Sequence, residues 1–316
     1  MTDFVYKDGL YRPTIKTIYI FLDDGGQREA DYYGFTTLLI DEFSFQSLES
    51  QVFSLCKQFN ITELHAMKLH QEGQLIDDMN TYDTFYTTIL DSLASVLEKA
   101  NYCYLRSILA SKKIIDKVNK FHFDTLKDSS VIMRGKPLPT EILKLYQYVA
   151  FPVDQSLHKI DCDSTVSINL QVDRKDELDS TILNKKTYLS GHHVSNFYNA
   201  AELIPRLLNI LIELGLKKQC KISNFSIVSD KVSPGIGVVD AIANFGFNFA
   251  KCAIKPVPSQ TEQRKSDLFT HFLNRISWST DQVTTVKSSI RNSITFENGS
   301  FHYLTDTPIS VFEMKH

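Results

Sequence analysis

The run "TIYIFL", Thr17 to Leu22, is apolar on both of the faces that a β-strand presents: Ile18, Ile20 and Leu22 alternate with Tyr19 and Phe21. That pattern predicts a strand buried on both sides, in the interior of a sheet with something packed on each face. Asp23, Asp24, Gly25 and Gly26 follow at once, and "DYYGFTTLLI", Asp31 to Ile40, then reads as a second strand. The spacing predicts a hairpin with Asp23 to Ala30 mostly in the connection, so the two carboxylates fit either turn chemistry or the start of a charged site.

Downstream, strand and helix patterns alternate. Apolar residues recur at helical spacing in "SFQSLESQVFSLCKQF", which runs into "NITELHAMKLHQEGQ", and again over Met79–Lys99. "NYCYLRSILA" reads as a strand, Ser111 to Lys120 as a short helix, and Thr140 to His158 as a helix. In "STVSINLQVD", Val166, Ile168, Leu170 and Val172 alternate with Ser167, Asn169, Gln171 and Asp173, a strand with one polar face that ends at Asp173. Ser195 to Gly215 is helical despite Pro205, "KISNFSIVSD" is a strand, and "SPGIGVVDAIANFGFNFAK" is a helix opened by Ser233 and Pro234. The order predicts a layered α/β fold with a mixed sheet. From about Val257 the pattern is less regular and predicts a helix followed by a terminal strand or hairpin.

A chain of 316 residues with 43% hydrophobic and 22% charged residues has the composition of a globular protein, and it carries no apolar run long enough to span a bilayer. Its first residues lack the basic-then-apolar order of a secretory signal, so a cytoplasmic protein without membrane contact is expected. Cys56, Cys103, Cys162, Cys220 and Cys252 are widely spaced and never form C-x-x-C, which argues against a zinc ribbon or disulfide framework. The net charge of −3 does not suggest a strongly basic nucleic-acid binder. Local clusters remain as candidates for a groove: Lys112, Lys113, Lys117 and Lys120; Arg134 and Lys136; Lys217, Lys218 and Lys221.

Asp240 is the residue that composition explains least. It lies in "GIGVVDAIANFGF", among apolar and small residues, where an ionised carboxylate is costly to bury without a partner. Gly237, Asp240, Ala241 and Asn244 share a helix stripe, so a neighbouring strand can come close to it. A bound cation is one possible partner; a half-exposed helix face is the alternative. Asp23 and Asp173 each end a strand, and in α/β sheets ligand sites collect at one rim of strand ends. Mg²⁺ and Mn²⁺ take oxygen ligands of this kind. "ELHAMKLH" offers Glu63, His65 and His70, but on a helix residues five apart point to different sides, and His192 and His193 form a lone pair in a loop. No H-E-x-x-H, phosphate-binding loop, dinucleotide fingerprint or G-x-S-x-G elbow occurs.

In their order, these pieces resemble the domain-of-unknown-function family 3800, whose members are regarded as having a ribonuclease-H-like fold. That family opens with a strand ending in Asp-Glu-Ser-Gly, matched here by "LDDGG" with Asp23 leading. A Glu-x-His element follows, matched by Glu63 and His65, and then a strand ending in Asp-Arg, matched by Asp173 and Arg174. Last comes a strand, a Ser-Asp turn and a helix with Asp, matched by "VSDKVSPGIGVVDAIA" with Asp230 and Asp240. The likeness spans roughly Ile18 to Ala253, and Asp24 and Gly25 depart from it, standing where the family has Glu and Ser.

The resemblance implies a ribonuclease-H-like domain over residues 1–256, with 257–316 as a C-terminal extension packed on it. It implies a nuclease-type centre in which Asp23, Glu63, Asp173 and Asp240 hold Mg²⁺ or Mn²⁺ and His65 orients a ligand or moves protons. Arg174, Asp230 and Asp24 would contact a DNA or RNA substrate. Two other readings accompany it: a non-catalytic ribonuclease-H-like module that binds nucleic acid or a protein, and carboxylates that hold a cation for structure alone. On the first reading Asp23 is a ligand, while Asp24, Gly25 and Gly26 let the chain leave the sheet.

Overall fold

The computed structural model describes residues 4–7, 10–13, 16–25, 32–72, 74–127, 140–157, 165–173, 188–189, 192–193, 200–216, 219–228 and 233–315. Two short strands, β1 (Phe4–Lys7) and β2 (Leu10–Pro13), pair with each other. They precede β3 (Thr17–Gly25), β4 (Tyr32–Asp41), α1 (Glu42–Phe59), β5 (Glu63–His65), β6 (Lys68–Gln71), β7 (Gln74–Ile76) and α2 (Met79–Lys99). Next come β8 (Cys103–Ser111), α3 (Lys112–Lys127), α4 (Thr140–Leu157), β9 (Val166–Asp173), β10 (Tyr188–Leu189) and β11 (His192–His193). The remainder is α5 (Ala200–Leu211) with a π-helical turn at Ile212–Leu216, β12 (Cys220–Val228), α6 (Pro234–Ile254), α7 (Gln260–Arg275), α8 (Thr280–Ser293), β13 (Ile294–Glu297), β14 (Ser300–Tyr303) and β15 (Ile309–Lys315).

A six-stranded mixed sheet organises the molecule, in the order β12-β9-β3-β4-β8-β15. From β3 through β4 and β8 to β15 the neighbours are antiparallel, whereas β9 runs parallel to β3 and β12 parallel to β9. The two apolar faces of β3 are both covered, as its sequence demands. Ile18, Ile20 and Leu22 join Val166, Ile168, Leu170 and Val172 of β9 in a core closed by α3, α4 and α5. Phe21 joins the other core, built with α1, α2, α6 and α7.

Several elements follow their local chemistry. Helix α2 spans the residues that the periodicity marks, and Ser233 caps α6 by accepting from the Ile236 N–H at 3.3 Å, with Pro234 in the first turn. Both α7 and α8 open with a capping box, Ser259 with Glu262 and Ser279 with Gln282. The tail is thus more regular than its sequence pattern predicts: two capped helices, a hairpin, and a strand, β15, that forms an edge of the central sheet. Helix α3 likewise runs seven residues past Lys120.

Three further expectations are corrected. Glu63 to Gln74 is no extension of a helix but part of a three-stranded meander, β5-β6-β7, so Glu63 lies directly opposite His70. His192 and His193 likewise belong to a two-residue strand pair with Tyr188 and Leu189.

The third correction concerns the glycine after the aspartates. Strand β3 continues through Asp23, Asp24 and Gly25, which pair with Thr36, Phe35 and Gly34 of β4, so these residues lie in the ladder and not in the connection. A Cβ on Gly25 would stand 2.6 Å from the carbonyl oxygen of Ala243 and 2.9 Å from its carbon. Gly25 therefore serves the close approach of the α6 backbone to the sheet, a contact that no side-chain rotation can relieve. Gly25→Ala is expected to destabilise by about 1–3 kcal/mol through overpacking, read as a lower urea midpoint; an unchanged midpoint would refute the close approach.

Candidate functional site

Helix α6 lies across one face of β3, and the contacts along it set the level of each acidic residue. Gly235 lies against the Phe21 ring and Ala243 against Gly25, two contacts on the same side of β3. Asp23 alternates onto that side between them and is 5% exposed. Its Oδ1 accepts the N–H of Asp24 at 2.7 Å, whereas the Asp24 side chain alternates to the opposite face.

Asp173 stands beside it on the neighbouring strand. The parallel register pairs Ile20 with Leu170 and Leu22 with Val172, so Asp23 and Asp173 are the next residues on two adjacent strands. Strand spacing places their backbones roughly 5 Å apart. Both alternate away from the core that holds Leu22 and Val172, toward the face that α6 covers. On the same face, Gln171 Oε1 accepts a hydrogen bond from the Ser233 hydroxyl at 2.6 Å, tying β9 to the cap of α6.

Asp240 occupies the stretch of α6 between Gly235 and Ala243 and is 9% exposed, so it is no solvent-facing residue. The end of strand β5 and the turn after it supply the partners that its burial requires. The Ala66 N–H donates to Asp240 Oδ2 at 2.6 Å, and His65 Nδ1 lies 3.0 Å from the same oxygen. Gly237 permits this approach, because a Cβ there would come within 2.5 Å of Leu64 Cδ2. The Tyr82 hydroxyl closes the shell by donating to the Ala66 carbonyl at 2.5 Å. Burial, reinforced by the charge of Asp240, holds that phenol well above the usual tyrosine range.

Glu63 sits at the start of the same strand, with Oε2 3.8 Å from Nε2 of His70. The structure therefore brings Asp23 and Asp173 together on adjacent strands, beneath the helix that carries Asp240, and turns Asp240 itself toward His65 and Ala66. Arg174 and Asp230 lie outside the described residues. As placed, no group of three or more His, Cys, Asp or Glu among the described residues is disposed to hold a metal ion. The donor chemistry is of the kind that a hard cation takes, since carboxylates dominate it, and the bonds from Ala66 and His65 both fall on Oδ2 of Asp240.

Two more residues reach this region, Asn244 of the stripe that carries Asp240 and Lys265, which the sequence motifs do not single out. Asn244, one turn beyond Asp240, accepts a hydrogen bond through Oδ1 from Lys265 Nζ of α7 at 2.8 Å. Desolvation holds Lys265 below the usual lysine range; the charge of Asp240 opposes this and that of Lys251 adds to it. Nothing local to "QTEQRKSD" marks Lys265, since its neighbours come from a helix that precedes it in sequence.

Among the described residues, no helix is long and apolar enough to cross a membrane. Cys56, Cys103, Cys220 and Cys252 form no disulfide with one another, and Cys162 lies outside the described residues. Comparison of the sequence with protein-family models returned no match, and neither did comparison with curated proteins.

Proposed function

We propose that the chain is a divalent-metal-dependent nuclease of the ribonuclease-H-like type, acting on the phosphodiester bonds of DNA or RNA. The observation that carries this reading is that Asp23 and Asp173 each follow the paired residues Leu22 and Val172 on two adjacent parallel strands, on the face spanned by the helix that bears Asp240. The motifs of the family-3800 resemblance lie far apart in sequence, and two of their carboxylates, Asp23 and Asp173, stand side by side on the sheet face that α6 covers.

In this reading Asp23, Asp173, Asp240 and Glu63 would hold Mg²⁺ or Mn²⁺. When bound, the ion offsets charge on the phosphodiester oxygens and lowers the pKa of a water molecule at the site. Asp240 has a second task, fixing the His65 ring so that the imidazole is oriented to carry a proton. The backbone N–H of Ala66 holds Asp240 in turn, so its carboxylate needs little reorganisation when a substrate arrives. Arg174 and Asp230 would act on the substrate from the segments next to β9 and β12, and Asp24, on the far face of β3, is left out of the centre.

One observation favours a second reading, a non-catalytic module of the same fold that binds nucleic acid or a protein partner. Among the described residues, no three candidate ligands are grouped for a cation. Calorimetric titration of Mn²⁺ into the wild type and Asp173→Asn, with labelled DNA and RNA strands incubated in parallel, separates the two. The nuclease is expected to bind Mn²⁺ and cleave, with Asp173→Asn losing both. A wild type that binds a labelled strand but neither takes up Mn²⁺ nor cuts it is the binding module.

A further inference from the structure

A centre built from carboxylates repels the polyanion it is meant to receive, so a cationic group has to stand beside it. The lysines of α3 do not serve: Lys112, Lys113, Lys117 and Lys120 are exposed, alternate with Asp116 and Asp124, and lie on the other side of the sheet from α6. Lys265 of α7 lies close enough to Asp240 to feel its charge, and Lys251 of α6 stands about three turns further along the helix, 4.0 Å from Glu262 Oε1. Lys265 and Asn244 are half-buried, and Asn244 is itself held, its Oδ1 accepting from Asn248 Nδ2 at 3.3 Å. Lys251 lies along the same side of α6, its ammonium 5.0 Å from the centre of the Phe247 ring.

Asp240, Asn244 and Lys251 follow helical spacing and so form one strip. Lys265 reaches that strip because the capping box at Ser259 fixes where α7 begins, two turns before it. Its ammonium has three N–H donors, and Asn244 is the one oxygen it meets among the described residues. A half-buried, pre-oriented ammonium beside an acidic centre is the arrangement that a phosphate oxygen would complete.

We propose that Lys265, with Asn244 and Lys251, forms a phosphate-binding station that takes a non-reacting phosphate of a nucleic-acid strand beside the acidic centre. The station rests on the nuclease reading and adds to it where the strand runs: out of the centre along α6 toward the start of α7. It reads charge and not sequence, so its effect is uniform across base compositions.

The test is fluorescence anisotropy of labelled oligo-dT and oligo-rU strands as a function of NaCl, with Ca²⁺ in place of Mg²⁺. Lys265→Gln is expected to weaken binding to both strands alike and to reduce the salt slope by about one. Lys113→Gln removes the same charge on the far side of the sheet and should leave both quantities at wild-type values. Lys265→Arg, which keeps the charge, should restore the slope, and this guards against misreading a folding defect. A slope unchanged in Lys265→Gln, or still low in Lys265→Arg, overturns the station. Wild-type protein that binds neither strand overturns the nuclease reading with it, whereas Mn²⁺ uptake by Lys265→Gln shows the acidic centre intact.

Discussion

Phe312→Ala is expected to lower the free energy of unfolding by about 3–5 kcal/mol, the usual loss for a large aromatic removed from a close-packed core. Phe312 belongs to β15 and is 1% exposed. Its ring meets Phe269 and Phe272 of α7 edge-on, at 6.3 and 5.8 Å, and Trp278 at 5.3 Å. Truncation therefore opens a cavity where the sheet edge and α7 close on each other, and aromatic rings fixed in that packing do not collapse readily into it. Urea denaturation measures the effect as a shift in midpoint at constant slope. A loss below about 1 kcal/mol, at the level of a typical surface substitution, would mean that the tail is a loosely attached appendage.

The second large effect is on the site. Asp240→Asn is expected to abolish metal-dependent cleavage and leave the melting temperature near that of the wild type, whereas Asp240→Ala is expected to lower stability by about 1–3 kcal/mol as well. The difference follows from the Ala66 N–H, which needs an acceptor at the place of Oδ2. Asparagine can present an oxygen there and alanine cannot, so only alanine strands a buried donor. Thermal melts of the two variants, run beside a cleavage assay, check both halves. Equal melting temperatures would show that the bond from Ala66 contributes nothing to stability. Residual cleavage in Asp240→Asn would remove Asp240 from the catalytic set.

Local patterns were enough for much of this architecture. The strict alternation from Val166 to Asp173 specifies a strand with one apolar face, and β9 has it. The two-faced run from Thr17 to Leu22 demands cover on both sides, and two separate cores provide it. Where the sequence misleads, the reason is distance along the chain. Asp24 and Gly25 look like a turn because Asp-Gly is turn chemistry, yet the glycine answers to Ala243, which is far away in sequence. The meander β5-β6-β7 has strands too short to show any period, and Leu64, Ala66 and Leu69 fit no single spacing.

The same limit applies to the site. Asp23, Asp173 and Asp240 stand out as acids at the ends of strands or inside an apolar helix, so the sequence nominates them one at a time. That His65 and Ala66 close on Asp240 across 175 and 174 residues is a property of the fold, which no window of sequence contains. Lys265 carries no signal at all; its role exists only because α7 packs back against α6.

The order in which the sheet is assembled has a bearing on how the chain is made. Strand β15 covers the outer edge of β8, and it is synthesised after every other strand of that sheet. While the ribosome is between the two, β8 holds up a nine-residue row of backbone groups with one side unpaired, next to the aromatic surface of α7 that Phe312 has yet to cover. Such an edge invites pairing with another nascent chain. By pairing with β8, the last strand of the sheet to be made acts as a latch on that edge.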